Sequence, residues 1–257
     1  MKMKIGIIFI ATGKYYIFAK DLIESFENLF LPDHEKEYFI FTDNNNPDVQ
    51  GDNIHYIIKE KEKWPFDSLH RFKNIYENKN LFSDIDFIYF LNANMKALQL
   101  INDEILPPEG CDFSAVIHPG YFMESKAVFP YERNPNSLAY VPYGDGERYY
   151  QGCFFGGRTD AFIEMCDVIA ENTKKDLANN IIAAVIDESY MNKYLIDKKV
   201  MDISPVYAYP QQVLVAKEKG DSSDYSKCLS YIILAKSDPM MIQMDKRLFG
   251  GHEFLRK

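Results

Sequence analysis

Short unbroken apolar runs alternate along this chain with stretches in which apolar residues recur at helical spacing. Residues 5–10 (Ile-Gly-Ile-Ile-Phe-Ile) form a run with no polar interruption, as expected of a strand buried on both faces. After Ala11-Thr12-Gly13-Lys14-Tyr15, residues Phe18, Leu22, Ile23, Phe26, Leu29 and Phe30 share one helical face. Residues 38–42 and 54–58 read as the next strands, the first closed by the turn-rich Asp43-Asn44-Asn45-Asn46-Pro47. The charged run 59–63 reads as a solvated loop, and residues 68–76 as a helix carrying Arg71 and Lys73. Residues 87–92 form another buried strand, ending in the asparagines Asn92 and Asn94. A strand at 113–117, a long aromatic loop over 118–150, a helix over 159–171 and a further helix from Asp187 complete the pattern. Phe154-Phe155 are expected in strand and core, with Gly156-Gly157 as a tight turn before the next helix. Strands alternating with helices predict an α/β fold: one Rossmann-like domain over 1–257, with a mostly parallel mixed sheet flanked by helices.

Composition narrows the class. A chain of 257 residues, 47% hydrophobic, can build one large core. Its 29 Lys+Arg against 38 Asp+Glu give a formal charge of −9, which argues against nucleic acid as a partner. Cys111, Cys153, Cys166 and Cys228 show no CxxC spacing, so free thiols in a reducing compartment are expected, with neither a zinc site nor a redox pair. The N-terminal apolar run falls far short of the roughly 18 residues a membrane span needs. It also lacks a secretory cleavage site, so a soluble cytoplasmic protein without a transmembrane segment is expected.

Ligands of open α/β sheets bind at the C-terminal ends of the strands, which draws attention to Asn92-Ala93-Asn94. Taken locally, two asparagines after a strand are ordinary turn chemistry. Equally, Asp187 can cap a helix and Glu188 can be an acid in its first turn, favoured there by the helix dipole. Against that reading, Glu188, Met191 and Leu195 fall at i, i+3 and i+7, which sets the acid on an otherwise apolar face.

Four segments occur in order: Asn92-Ala93-Asn94; His118-Pro119-Gly120 with Tyr131-Glu132-Arg133; Tyr149-Tyr150-Gln151-Gly152-Cys153-Phe154-Phe155-Gly156-Gly157; and Asp187-Glu188-Ser189 through Asn192-Lys193-Tyr194. Together, from about residue 5 to Gln212, they resemble family 6 glycosyltransferases, which include the blood-group A and B transferases, the α-1,3-galactosyltransferase and bacterial members. The resemblance implies a GT-A fold and a retaining transfer of galactose or N-acetylgalactosamine from a UDP-sugar to the 3-hydroxyl of a β-galactoside.

It also implies roles for particular residues. Ala11, Thr12 and Tyr15 would receive the uridine, and Arg71 would lie near the diphosphate and donor sugar. Gly152 and Cys153 would line that sugar, and Asp187 would contact it. His118, Gln151 and Glu188 would surround the acceptor, and Tyr209 stands in the acceptor region. Glu188 would be the catalytic carboxylate, either attacking the anomeric carbon or stabilising an oxocarbenium-like transition state.

Departures from the family pattern carry information too. Mammalian relatives hold a divalent cation on Asp-x-Asp where this chain has Asn92, Ala93 and Asn94, as in a metal-independent bacterial branch. An amide offers one neutral acceptor and two donors, so no metal or other cofactor is expected. Val185-Ile186 replaces Trp-His, Tyr209-Pro210 replaces Trp-Asp, and the chain is expected to begin directly at the catalytic domain without the anchor of the mammalian enzymes. The C-terminal residues 214–257 are expected to close over the donor, with Lys227 chosen from their basic residues as the phosphate contact. The resemblance favours UDP-N-acetylgalactosamine as donor and a fucosylated, H-antigen-like galactoside as acceptor. UDP-galactose is the first alternative, and a non-catalytic sugar-nucleotide or glycan-binding protein the second.

Overall fold

A computed structural model describes residues 2–221 and 228–246. Among these, ten strands form: β1 (Lys4–Ile10), β2 (Glu35–Thr42), β3 (Ile54–Ile58), β4 (Phe87–Asn92), β5 (Met95–Ala97), β6 (Phe113–Ile117), β7 (Tyr150–Arg158), β8 (Val200–Ile203), β9 (Tyr209–Pro210) and β10 (Met241–Gln243). The helices are α1 (Ala19–Leu29), α2 (Phe66–Leu69), α3 (Arg71–Glu77), α4 (Thr159–Ala178), α5 (Ile186–Leu195), α6 (Gln211–Lys219) and α7 (Leu229–Leu234). Seven strands make the central sheet in the order β3-β2-β1-β4-β7-β6-β8. All neighbours run parallel except β7, which is antiparallel to both β4 and β6. The mixed, mostly parallel sheet expected from the sequence is therefore present.

Two apolar layers sandwich the sheet because side chains alternate between its faces. Ile5, Ile7 and Phe9 of β1 join Phe87, Tyr89 and Leu91 of β4 against Leu22, Ile23 and Phe26 of α1. Ile8, Ile88 and Phe90 face the other way, toward Phe72 and Ile75 of α3, Phe162 and Met165 of α4, and Met191 of α5. Each fully buried Phe or Ile contributes about 1.5–3 kcal/mol relative to exposure. The register of β1 on β4 sets Ile10 opposite Asn92. Residues 11–15 and 92–94 consequently leave the sheet side by side.

The structure departs from the sequence pattern at several elements. His70, with φ −90° and ψ 5°, separates α2 from α3 where one helix over 68–76 was expected. Helix α4 runs to Ala178, past the expected end at 171, because polar Thr173 and Asp176 occupy buried positions of its last turns. The charged segment 59–63 is a loop, but Lys59 is drawn in by an ion pair with Asp67. Gly156 and Gly157 form no turn. They lie within β7, where a Cβ on Gly156 would stand 2.3 Å from the Ile88 carbonyl oxygen, and one on Gly157 2.1 Å from that of Asp112. Glycine is needed there so that β7 can fit between its neighbours.

A second sheet, in the order β5-β10-β9, joins the C-terminal segment to the body. Phe18, Tyr209, Val213, Leu234, Ile242 and Met244 pack beneath it. Lys227 lies outside the described residues. No helix among the described residues is long and apolar enough to cross a membrane. Substituting Gly156→Ala is expected to destabilise the fold by about 3 kcal/mol, measured by chemical denaturation, since the backbone of β4 cannot yield to the added methyl.

Candidate active site

Helix α5 begins at Ile186, and its first turn carries Asp187 and Glu188. The capping position is held by Val185, whose N–H donates to Ser189 Oγ at 3.0 Å, so Asp187 is not the cap. Ile186 adopts φ +49°, a left-handed conformation disfavoured for a β-branched residue. That turn directs both acids toward β7. Glu188 accepts from the Tyr149 hydroxyl at 2.8 Å on Oε1 and from the Gly152 N–H at 2.6 Å on Oε2.

Arg71 opens α3 and is buried against the same strand. Its Nε lies 2.6 Å from Asp187 Oδ2, and its Nη1 donates to the Gly152 carbonyl at 2.8 Å. Gly152 is thus gripped on both its flanking peptide groups, by an acid at its N–H and a cation at its carbonyl. A Cβ there would come 2.8 Å from Arg71 Nη2 and 3.3 Å from Glu188 Oε2. The guanidinium sits 4.6 Å from the centroid of Phe90, 4.9 Å from that of Phe72 and 5.2 Å from that of Phe155. Arg71 Nη2 is buried with no hydrogen-bond partner among the described residues. Buried donors left in this way are uncommon and call for a ligand or another explanation.

Burial pushes the Glu188 pKa up to about 7, against the Gly152 N–H and the Tyr149 hydroxyl, which favour the charged form. Burial also raises that of Asp187, against the opposing pull of Arg71. Two adjacent acids therefore sit in different environments. One is locked in an ion pair, and the other is poised between its charged and neutral forms near neutrality.

The segments after β1 and β4 meet beside this group. Ala11 is fully buried, and the Thr12 hydroxyl donates to Asp67 Oδ2 at 2.5 Å. Gly13 takes φ +55° and donates its N–H to Asp43 at 2.7 Å. Lys246 Nζ donates to the Tyr15 hydroxyl at 2.5 Å and lies 5.1 Å from its ring centroid. Asn92 ends β4, and Ala93 is buried in the core. Asn94 is buried too: its Nδ2 donates to the Met244 carbonyl at 2.6 Å, and its own carbonyl accepts the Met244 N–H at 2.8 Å. Its Oδ1 has no hydrogen-bond partner among the described residues.

On the other side of Tyr149, His118 Nδ1 accepts the Gly120 N–H at 3.0 Å, which assigns the ring proton to Nε2. Burial pushes the His118 pKa down to about 4, so the ring is a neutral donor near pH 7. Its centroid is 4.8 Å from that of Tyr121 and 5.8 Å from that of Tyr149. Gln151 Nε2 donates to Gln243 Oε1 at 3.5 Å, and Gln151 Oε1 accepts from Cys153 Sγ at 3.2 Å. Cys153 is turned into the core.

The structure thus brings Arg71, Gly152, Asp187 and Glu188 into direct contact, with His118 one aromatic ring away. Tyr209, expected at the acceptor, is fully buried: pairing of β9 with β10 directs its ring into the cluster with Phe18 and Ile242. Nothing in the local pattern of Tyr149 signals its bond to Glu188. Lys246 was one basic residue among many. A cleft of about 600 Å³ bounded by Pro142, Arg148, Lys193 and Asp197 does not include the Arg71–Glu188 group.

The sequence profile of Glycosyltransferase family 6 matches residues 1–220. The O-antigen biosynthesis glycosyltransferase WbnI of Escherichia coli is 34% identical over 211 residues, covering 82% of this chain and 89% of that protein. The globoside alpha-1,3-N-acetylgalactosaminyltransferase 1 of Gallus gallus is 33% identical over 220 residues, 81% of this chain and 62% of its own. The histo-blood group ABO system transferase 2 of Rattus norvegicus is 31% identical over 219 residues, 82% and 64% respectively. The chain therefore spans less than two thirds of the length of these two vertebrate relatives. By the extent of the profile match and the identity to these transferases, the chain belongs to glycosyltransferase family 6.

Proposed function

We propose that this glycosyltransferase moves N-acetylgalactosamine from UDP-N-acetylgalactosamine to the 3-hydroxyl of a fucosylated β-galactoside, retaining anomeric configuration and using no divalent cation. The observation that carries the reading is the Gly152 peptide held between Glu188 and the Arg71–Asp187 ion pair. A sugar seated against Gly152 would have the Glu188 carboxylate beside its anomeric carbon, able to attack it or to stabilise positive charge there. Arg71 Nη2 offers an unused buried donor on the same side.

As the glycosidic bond breaks, negative charge builds on the departing UDP and calls for fixed cations and N–H donors. Arg71, beside Gly152, and Lys246, beside Tyr15, are among the described cations that could fill this role. Asn92 and Asn94 carry no anionic oxygen with which to bind a hard cation. His118 Nε2–H would serve the acceptor as a hydrogen-bond donor. Four free thiols suit a reducing, cytoplasmic compartment.

Replacing Glu188→Gln is expected to lower kcat at least about 10²-fold, measured by chromatography of a labelled acceptor. UDP affinity by calorimetry should stay within a few-fold, and near-normal turnover would remove Glu188 from the chemistry. The reaction needs Glu188 ionised, and its pKa is about 7. In the free enzyme kcat/KM should therefore fall as pH drops through about 7. His118, at about 4, cannot supply that limb. The limb should survive His118→Gln and vanish in Glu188→Gln.

Transfer should proceed unimpaired in EDTA and gain little from Mn²⁺, and strong chelator sensitivity would overturn the metal-free mechanism. With both UDP-sugars compared in one assay, N-acetylgalactosamine should be the preferred donor. Preference for UDP-galactose would reassign the donor, and transfer from neither would favour a binding protein.

A further inference from the structure

Two buried carboxylates outside the Arg71 cluster face no cation among the described residues. Glu132 is 7% exposed and Asp176 is fully buried. An isolated buried charge is unfavourable unless hydrogen bonds compensate it, and here N–H and O–H donors do so. Glu132 Oε1 accepts the Asn134 N–H at 2.7 Å, and Oε2 accepts the Ala184 N–H at 2.6 Å. Asp176 Oδ2 accepts the Ser137 hydroxyl at 2.7 Å and the Tyr190 hydroxyl at 2.8 Å, and both its oxygens lie 3.0 Å from the Leu138 N–H.

Glu132 ties the loop between β6 and β7 to Ala184, ahead of α5, and Asp176 of α4 ties the same loop to Tyr190 within α5. Ala184 lies just before the left-handed Ile186, whose N–H donates to Ala183 at 3.0 Å. Tyr190 lies just after Glu188. The two anchor points therefore bracket the turn that aims Asp187 and Glu188. Tyr131, the neighbour of Glu132, also sets its ring edge-on to Tyr149, the residue that holds Glu188 Oε1. A β-branched residue keeps a left-handed conformation only where its surroundings over-determine it, and charge-assisted bonds on both sides do so here.

We propose that Glu132 and Asp176 are positioning residues, which hold the turn at Ile186 and thereby keep the Glu188 carboxylate against Gly152. This rests on the reading of Glu188 as the catalytic acid. Glu132 acts through the backbone at Ala184 and Asp176 through the Tyr190 side chain, each on the element that carries Glu188.

The test compares Glu132→Gln with the milder Ser137→Ala and Tyr190→Phe, each of which removes one donor to Asp176. Steady-state transfer from UDP-N-acetylgalactosamine is measured per folded site, with sites counted by UDP titration. Glu132→Gln sets an amide N–H against a backbone N–H. It is expected to lower kcat at least tenfold, with the donor KM and UDP affinity changed less than twofold. Ser137→Ala and Tyr190→Phe should lower kcat a few-fold in the same pattern. Placed in a Glu188→Gln background, all three should cost no further activity, because the residue they position has already lost its function.

Wild-type kcat in the folded variants, or the same fold-loss in both backgrounds, would overturn the proposal. Should Glu132→Gln fail to fold, Ser137→Ala and Tyr190→Phe decide by the same criteria. Unimpaired turnover in Glu188→Gln alone would instead sink the functional reading of Glu188. A crippled Glu188→Gln beside fully active Glu132→Gln and Tyr190→Phe would sink only the positioning role.

Discussion

The grip on the backbone of a single residue, Gly152, is the constraint around which the rest of the site is arranged. Glu188 takes its N–H and Arg71 its carbonyl, so strand β7 and helices α3 and α5 converge on the two peptide groups that flank one α-carbon. Holding an unbalanced charge in a low-dielectric setting is costly, and the cluster of one guanidinium and two carboxylates is stable only because each member has specific partners. The aromatic rings around Arg71 strip water from it and fix its plane. Removing water in this way strengthens every remaining electrostatic interaction, which is the condition a charge-separating reaction needs.

The sheet explains why these groups can meet. Parallel β1 and β4 end together and release residues 11–15 and 92–94 at one edge. The antiparallel β7 crosses between β4 and β6 and begins its course at that same edge, with Tyr149 and Gly152 at its start. Glycines at 156 and 157 permit this close passage, so positions deep in the sheet help determine where the functional end of β7 lies.

Much of the fold was legible because long apolar runs admit few interpretations. The β1 and β4 strands, α1 and the strand at Phe113–Ile117 follow directly from periodicity. Features that depend on contacts between distant segments were hidden. Gly156-Gly157 looks like a turn until β4 is placed beside it. The last turns of α4 look like solvent-facing chain until Asp176 finds Ser137 and Tyr190. Within the site, Arg71, Gly152, Asp187 and Glu188 were singled out through family resemblance, and the structure puts them in mutual contact. Tyr149 carried no local mark, since an aromatic residue entering a strand has the same pattern whether or not its hydroxyl binds a carboxylate. Tyr209 was assigned by its position in the pattern, yet β-pairing with Ile242 takes its ring inward.

Asn94 shows how a sequence motif and a remote segment can become mutually dependent. Its amide donates to the Met244 carbonyl while its backbone accepts from the Met244 N–H, so this side chain fastens the end of the β10 segment to the end of β4. An aspartate at 94 would set a carboxylate against that carbonyl, with no proton between the two oxygens at neutral pH. Converting this site to an acidic, cation-holding one would therefore cost the side-chain bond to Met244 and leave the segment after β10 held by its backbone bond to residue 94 and by the pairing of β10 with β5 and β9.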